Sequence, residues 1–412
     1  MNLNQRGRLS LAADQPVMMR RRNISAIMRT ILANGPLSRS EIAERTGLSP
    51  GGVTKLTSTL LAAGLLREVQ PQLAPAGALG RPRVPVEIDN RAHVVTALHI
   101  GTQWTTVGLV DLAGRLIYQE LFPRGDTRPE RVVADAARSV ESTLRSRLPK
   151  SRVIGLGAAI GGWIDTEAGT VVEHAALGWR GVALRDMLQE KFAYPVRLDS
   201  TVRAMALAEG WFGTAADCHN WVQLFVANVV GAAISVDGAI QRGPESAAGD
   251  LTHLPIRGAS GLTTCTCGHR TCFQVVGSDQ AVITAARMKR VVPKASALKD
   301  VIDAAREGDA RARKLLRDRA RIVGQALAVI FELINPEVAV LAGGIIHAPE
   351  YLDDLRTSVA RNVHRSIDLE RRILPSVLGE DAYPISPAAL VLAEYYRDPM
   401  AFEPLMSLGL SS

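Results

Sequence analysis

Three of the four cysteines in this 412-residue chain, Cys265, Cys267 and Cys272, fall within eight residues, and His253 stands twelve residues upstream of the first. Thiolates and imidazole are the donors a zinc ion prefers, and three sulfurs with one nitrogen complete a tetrahedral shell. A shell with no open position shapes a loop and does no chemistry, so one structural zinc per chain is the expectation. A disulfide or a set of buried free thiols are the alternatives. No secretory leader is legible, and cytosolic thiols stay reduced, which argues against the disulfide. Cys218 stands apart and receives no role.

Charge is the second chemical signature. Residues 1–90 hold 12 arginines and lysines against 6 acidic residues, and the remainder holds 36 against 35, so nearly all of the net charge of +7 lies in the first fifth of the chain. That asymmetry points to an anionic partner, with double-stranded DNA foremost and a merely solvated basic face as the plain alternative. The residues suited to touch DNA are Ser49, Gly51, Gly52, Thr54, Lys55 and Ser58, which are small or polar and fit a major groove. Arg81 and Arg83, in the extended segment Gly80-Arg81-Pro82-Arg83, suit a narrow minor groove.

Those side chains need a helix-turn-helix to carry them. Ile24, Ile27, Met28, Ile31 and Leu32 follow helical spacing and stop at Asn34-Gly35-Pro36. Ser38 and Glu41 form a capping box, with Leu37 and Ile42 as its hydrophobic staple, and the short helix they open ends near Gly47. Ser49 then caps a third helix with Pro50 at its first position and Val53, Leu56, Leu60 and Leu61 as the inward stripe. Strands over 65–70 and 84–88 would frame a wing, and Arg20, Arg21 and Arg22 would extend a phosphate-binding arm. The domain expectation is an arm over 1–22 and a winged helix-turn-helix over 23–88.

From about residue 93 strands alternate with helices. Strands are expected at 94–100, 105–111, 116–122 and 153–159, with another ending at Leu198 before a helix over 201–211. A second strand pair falls at 221–226 and 231–236. Helices follow near 279–290, 298–306 and 309–333, and a strand at 338–342 runs into Gly343-Gly344. Two strand-rich starts with helices between them imply a duplicated α/β body of two lobes around a cleft. The lobes are placed at 93–210, completed by about 385–397, and at 211–384, with a tail over 398–412. No apolar run is long enough to span a bilayer, so no membrane partner is expected.

The chain resembles the ROK family of repressors and sugar kinases. The resemblance rests on Gly80-Arg81-Pro82 in the wing, Gly249-Asp250-Leu251-Thr252-His253, the Cys265–Cys272 cluster, Leu177-Gly178-Trp179-Arg180, Ala206-Leu207-Ala208-Glu209, and Asn335-Pro336-Glu337 leading to Gly343-Gly344. It implies an actin-like, hexokinase-like body, a regulator branch with a winged helix-turn-helix in front, and a sugar or sugar-phosphate effector. It also implies which positions would read the sugar: Ser200, Thr201, Asp250, His253 and Gln274.

The departures from that family's pattern are informative. Where its kinases have an acidic residue that helps hold magnesium, this chain has His99. Where a glycine-rich phosphate loop is expected, it reads Ala227-Asn228-Val229-Val230-Gly231-Ala232-Ala233, with methyl and isopropyl groups where backbone must approach phosphate. Thr201 stands in the place of the catalytic base, and a threonine hydroxyl without an activating partner takes no proton at neutral pH. No catalytic residue is therefore assigned. The expectation is a cytoplasmic DNA-binding regulator, a repressor, acting as a homodimer or homotetramer. A ligand-independent regulator and a sugar kinase with an appended head are the alternatives.

Overall fold

The structure is a computed structural model that describes residues 11–70, 84–90, 93–148, 153–295 and 297–402. At the N-terminal end, α1 (Leu11–Asn34) runs without interruption through Arg20, Arg21 and Arg22. The basic triplet is thus part of the first helix and not of a separate arm. Its register is held by the body of the protein, because Arg21 Nε pairs with Asp398 at 2.9 Å. The capping box is present at α2 (Arg39–Thr46), where Ser38 accepts from the Glu41 amide and Glu41 from the Ser38 amide, and Gly47 closes the helix in the left-handed conformation. Ser49 caps α3 (Pro50–Ala62) by accepting from the Gly52 amide.

Ile24, Ile27, Met28, Ile31, Ile42, Val53 and Leu60 make the core of this head. Leu61 is only half-buried, and Thr57 takes its expected place on the inner face, with its hydroxyl donating to the Val53 carbonyl at 2.8 Å. Two short strands follow, β1 (Leu66–Glu68) and β2 (Val86–Ile88), paired antiparallel. Both are shorter than the sequence suggested. Leu37 bridges to Val86 and ties the loop before α2 to the wing sheet. The wing tip with Arg81 and Arg83 lies outside the described residues.

The first lobe is a five-stranded sheet in the order β5-β4-β3-β6-β10, from β3 (Val94–Ile100), β4 (Trp104–Asp111), β5 (Leu116–Pro123), β6 (Val153–Ile160) and β10 (Val196–Ser200). One face carries α4 (Pro129–Arg147), whose apolar stripe Val132, Val133, Ala136 and Val140 is buried. Between β6 and β10 lies a small sheet, absent from the sequence expectation: β7 (Trp163–Asp165), β8 (Thr170–His174) and β9 (Trp179–Val182), followed by α5 (Leu184–Gln189). After β10 comes α6 (Thr201–Phe212).

The second lobe repeats the same order as β13-β12-β11-β14-β15, from β11 (Trp221–Val226), β12 (Val230–Val236), β13 (Ala239–Ile240), β14 (Val338–Ala342) and β15 (Ile373–Pro375). Each lobe thus sets its first strand third in the sheet, pairs it antiparallel with the next, and parallel with a later strand. This is the duplicated, actin-like body. Its helices are α7 (Phe273–Gly277), α8 (Asp279–Met288), α9 (Leu298–Arg306), α10 (Ala310–Ile334), α11 (Leu352–Asn362) and α12 (Leu369–Arg372). Finally α13 (Ala382–Arg397) crosses back onto β3 and β6 of the first lobe. It approaches so closely that any side chain at Gly157 would meet the Pro387 carbonyl. The head sits on this same helix, α1 packing against α13 with Arg29 lying 4.1 Å over the Trp211 ring.

Candidate functional site

The outward face of α3 is built as the sequence suggests. Gly51, Thr54, Lys55 and Ser58 are exposed and Gly52 is half-buried, while Val53, Leu56 and Leu60 point inward. Ser49 uses its oxygen as the helix cap, 3.2 Å from the Gly52 amide. Thr54 donates its hydroxyl to the Pro50 carbonyl at 2.9 Å. A Cβ added at Gly51 would meet nothing within 4 Å, so packing within the chain does not require glycine there.

The long loop between β13 and α7 brings the four candidate metal ligands together. Donor atoms of His253, Cys265, Cys267 and Cys272 all lie within 4.8 Å of one another. His253 Nδ1 is 3.4 Å from Cys265 Sγ, and the sulfurs of Cys267 and Cys272 are 3.3 Å apart. These separations are slightly tighter than those of a filled tetrahedral shell, in which metal–sulfur bonds of about 2.3 Å set sulfurs roughly 3.5–4 Å apart. They are too long for the disulfide alternative. Backbone bonds position the ligands: Cys265 N donates to His269 O and Gly268 N to Cys265 O, both at 2.8 Å, and Phe273 N donates to Leu254 O at 2.8 Å. His269, which the sequence reading passed over, places Nδ1 3.5 Å from Cys267 Sγ. The only sequence signal for it was its place inside the cysteine run.

Around the cleft, the family-derived positions converge but are largely occupied. Gln274 Oε1 accepts from Val230 N at 3.1 Å and its Nε2 donates to Asn228 O at 2.7 Å, so the amide clamps the β11–β12 turn. The Ser200 hydroxyl caps α6 by accepting from Arg203 N. Asp250 is exposed and folds back to accept from Thr252 N at 2.9 Å. Thr201, expected to lack an activating partner, places its hydroxyl 3.2 Å from His99 Nε2, and both residues are buried. Burial, with the charge of Arg124, pushes the His99 pKa down to about 4. An imidazole so weakly basic is a poor acceptor for the hydroxyl proton. The two residues that the family resemblance places at the magnesium-site acid and at the base thus contact one another.

The second phosphate-loop region is braced by backbone hydrogen bonds, with Asn228 and Val229 exposed at its turn. Ala227 N donates to Val229 O at 3.0 Å, and Ala227 O accepts from Asp279 N at 2.8 Å. Beneath it Arg319 pairs with Asp279 and donates to Gly277 O at 3.0 Å. Gly343, at φ +85°, sits so close that a Cβ there would lie 2.8 Å from Val226 O. Behind Ser200, Asp199 is completely buried and pairs with Arg203 at 2.6 Å and Arg242 at 3.2 Å. Arg203 reaches on to Ile164 O at 2.9 Å and Ser246 O at 2.8 Å, stitching the first lobe to the second. This network escaped the sequence reading, although an aspartate and an arginine four residues apart in an apolar run were its visible signal.

Comparison with known proteins agrees with this architecture. Residues 95–394 match the ROK family, and residues 20–67 match a winged helix-turn-helix DNA-binding family. The chain is 30% identical over 390 residues, 91% of this chain and 86% of the other, to the transcriptional regulator Mb0495 of Mycobacterium bovis. It is 26% identical to the xylose repressor of Bacillus spizizenii, over 94% of this chain and 98% of that one. The crystal structure of a ROK family transcriptional regulator, a homologue of the Escherichia coli MLC protein, superposes with a TM-score of 0.79 at 24% identity, covering 94% of this chain and 99% of that chain. With a ROK body that spans most of its length and a capped helix-turn-helix mounted on α13, this chain belongs to the ROK family and is one of its DNA-binding transcriptional regulators.

Proposed function

We propose that the protein is a repressor that binds double-stranded operator DNA as a homodimer or homotetramer and has no phosphotransferase activity. The observation that carries this reading is the contrast between its two ends. The head offers an exposed α3 face of small and polar residues standing on a fully packed core, whereas the kinase positions are plugged by the buried His99–Thr201 contact. One head covers a half-site, so specific affinity needs two related by symmetry. Ser49, Gly51, Gly52, Thr54, Lys55 and Ser58 face the major groove, with Arg81 and Arg83 on the wing and one structural zinc in the His253–Cys272 loop.

Fluorescence anisotropy with genomic fragments tests this. Affinity should fall steeply with salt, because each phosphate contact releases counterions. Lys55→Ala should weaken binding and reduce the salt slope by about one if the lysine meets a phosphate. An unchanged slope and affinity would remove Lys55 from the interface. A coupled ATP assay over hexoses and amino sugars should show no turnover in the wild type. Thr201→Asp alone should not create activity, because the Ala227–Ala233 segment still carries methyl and isopropyl groups where backbone must approach phosphate; detectable phosphorylation by either protein refutes the reading.

A second reading concerns the effector. The Gln274 amide and the hydroxyls of Ser200 and Thr201 already have partners, which favours weak or absent recognition of a plain hexose in the cleft. A ligand that binds the folded state raises the melting temperature by mass action, so a thermal-shift screen of sugars separates an effector-controlled repressor from a ligand-independent one.

A further inference from the structure

The head meets the body through α1, which packs on α13. Buried Ile24, Ile27 and Ile31 of α1 belong to one continuous apolar cluster with Tyr395 and Tyr396 of α13 and Trp211 of α6. The head therefore shares a core with the first lobe. Two polar contacts flank this seam. Arg29 lays its guanidinium over the Trp211 ring, 4.1 Å from the centroid. Trp211 in turn stacks on Tyr396, with centroids 4.9 Å apart and planes 25° from parallel, and the Tyr396 hydroxyl donates to the Leu112 carbonyl. Guanidinium, indole and phenol thus form a column whose far end is tied to the residue after β4. The second contact is the ion pair of Arg21 Nε with Asp398 at 2.9 Å.

The spacing of the two contacts along α1 matters. Arg21 and Arg29 are eight residues apart, which is about 12 Å along an α-helix. A single contact would leave the helix able to pivot. Two contacts on a stiff rod, with an apolar seam beside them, fix both its tilt and its rotation. The same cluster holds Ile42 of α2 and Val53 and Leu60 of α3, so the pose of α1 sets the pose of the outward face of α3.

We propose that Arg29 and Arg21, seated on Trp211 and Asp398 of the body, are positioning residues for DNA binding: they hold each head in one orientation and so fix the half-site spacing that the oligomer accepts. This rests on the reading of the protein as a symmetric DNA-binding oligomer. One base pair added between two half-sites moves the second by about 3.4 Å and turns it by about 35° around the duplex. A seated head cannot follow that displacement, whereas a loosened one can.

Two measurements on the full-length protein test this. The first uses duplexes carrying two copies of a half-site, obtained by selection from a random library with the wild type. Spacers differ by single base pairs, and a duplex with one half-site is the reference. The wild type should prefer one spacing at least tenfold over its neighbours. Arg29→Gln combined with Asp398→Asn should reduce that preference below threefold and leave affinity for the single half-site within twofold. Arg29→Lys with Asp398→Asn, which keeps a cation over the indole, should restore much of it. Arg29 is exposed and Asp398 half-buried, so a melting curve like the wild type's is expected, and Asp398→Asn alone serves as a milder second variant. An undiminished preference in the folded double variant would overturn the proposal. An equal loss on the single half-site would make Arg29 a DNA contact and would overturn it too. The second measurement contains no DNA. Spin labels coupled through azido side chains at exposed positions 62 in the head and 190 in the body, in chains diluted with unlabelled protein, report the head-to-body distance by pulsed dipolar spectroscopy. One narrow distance in the wild type and a broad distribution in the double variant are expected. Equal widths would overturn the joint whether or not the protein binds DNA. A narrow wild-type distance without a spacing preference would overturn the spacing claim and leave the DNA-binding reading standing.

Discussion

Stripping the metal with a chelator, or replacing Cys265 with serine, is expected to unfold the segment from about 250 to 277 and to cause aggregation or a large loss of thermal stability. Three backbone features depend on the four ligands meeting: the Cys265–His269 turn, the Pro255–Cys272 bridge and the start of α7. Cys265 and Cys272 are buried, and Phe273, next in the chain, is completely buried in the second lobe's core. Releasing the loop therefore withdraws an aromatic anchor from that core and frees Gln274 from the β11–β12 turn. Structural zinc binding in small domains is worth roughly 10–16 kcal/mol, most of it expressed as folding of the bound segment. Elemental analysis should find one zinc per chain, and hydrogen exchange should rise in this segment after chelation. Unchanged exchange and melting in a metal-free preparation would eliminate the structural role.

Removing the Asp199 carboxylate is expected to be nearly as damaging. Asp199 is wholly inaccessible and the Arg203 side chain is 6% exposed. Asp199→Ala leaves a guanidinium buried without its counter-charge, a change that costs about 3–5 kcal/mol. For a body of this size that corresponds to a fall in melting temperature of roughly 10 °C. Arg242, 42% exposed, contributes much less because solvent screens it. The double substitution Asp199→Leu with Arg203→Met should recover a large part of the loss, since no charge is then stranded. The lobes would remain less firmly joined, because Arg203 also donates to Ile164 O and Ser246 O. Equal melting temperatures for Asp199→Ala and the double variant would contradict this account.

Much of the head was legible without coordinates because its signals are local. The capping box at Ser38 and Glu41, Gly47 at a left-handed helix end and Ser49 before Pro50 each act within a few residues. The cysteine spacing pointed to the His253–Cys272 cluster for the same reason, since three of its four members lie in one short turn. The two strand-rich starts of the body were legible from apolar runs such as Val94–Ile100 and Trp221–Val226, which are buried along their whole length.

Tertiary structure decided what those signals meant for the site. Whether Arg20–Arg22 formed an arm or a helix was not legible locally: α1 is met by Asp398, at the end of α13 and far from Arg21 in the sequence. The hydroxyl of Thr201 found His99 across 102 residues of sequence, and Gln274 found Asn228 across 46. A polar side chain's role is set by the partners packing brings to it. In this body those partners are distant in the chain, so residue type alone did not distinguish an effector contact from a clamp, a cap or a buried pair.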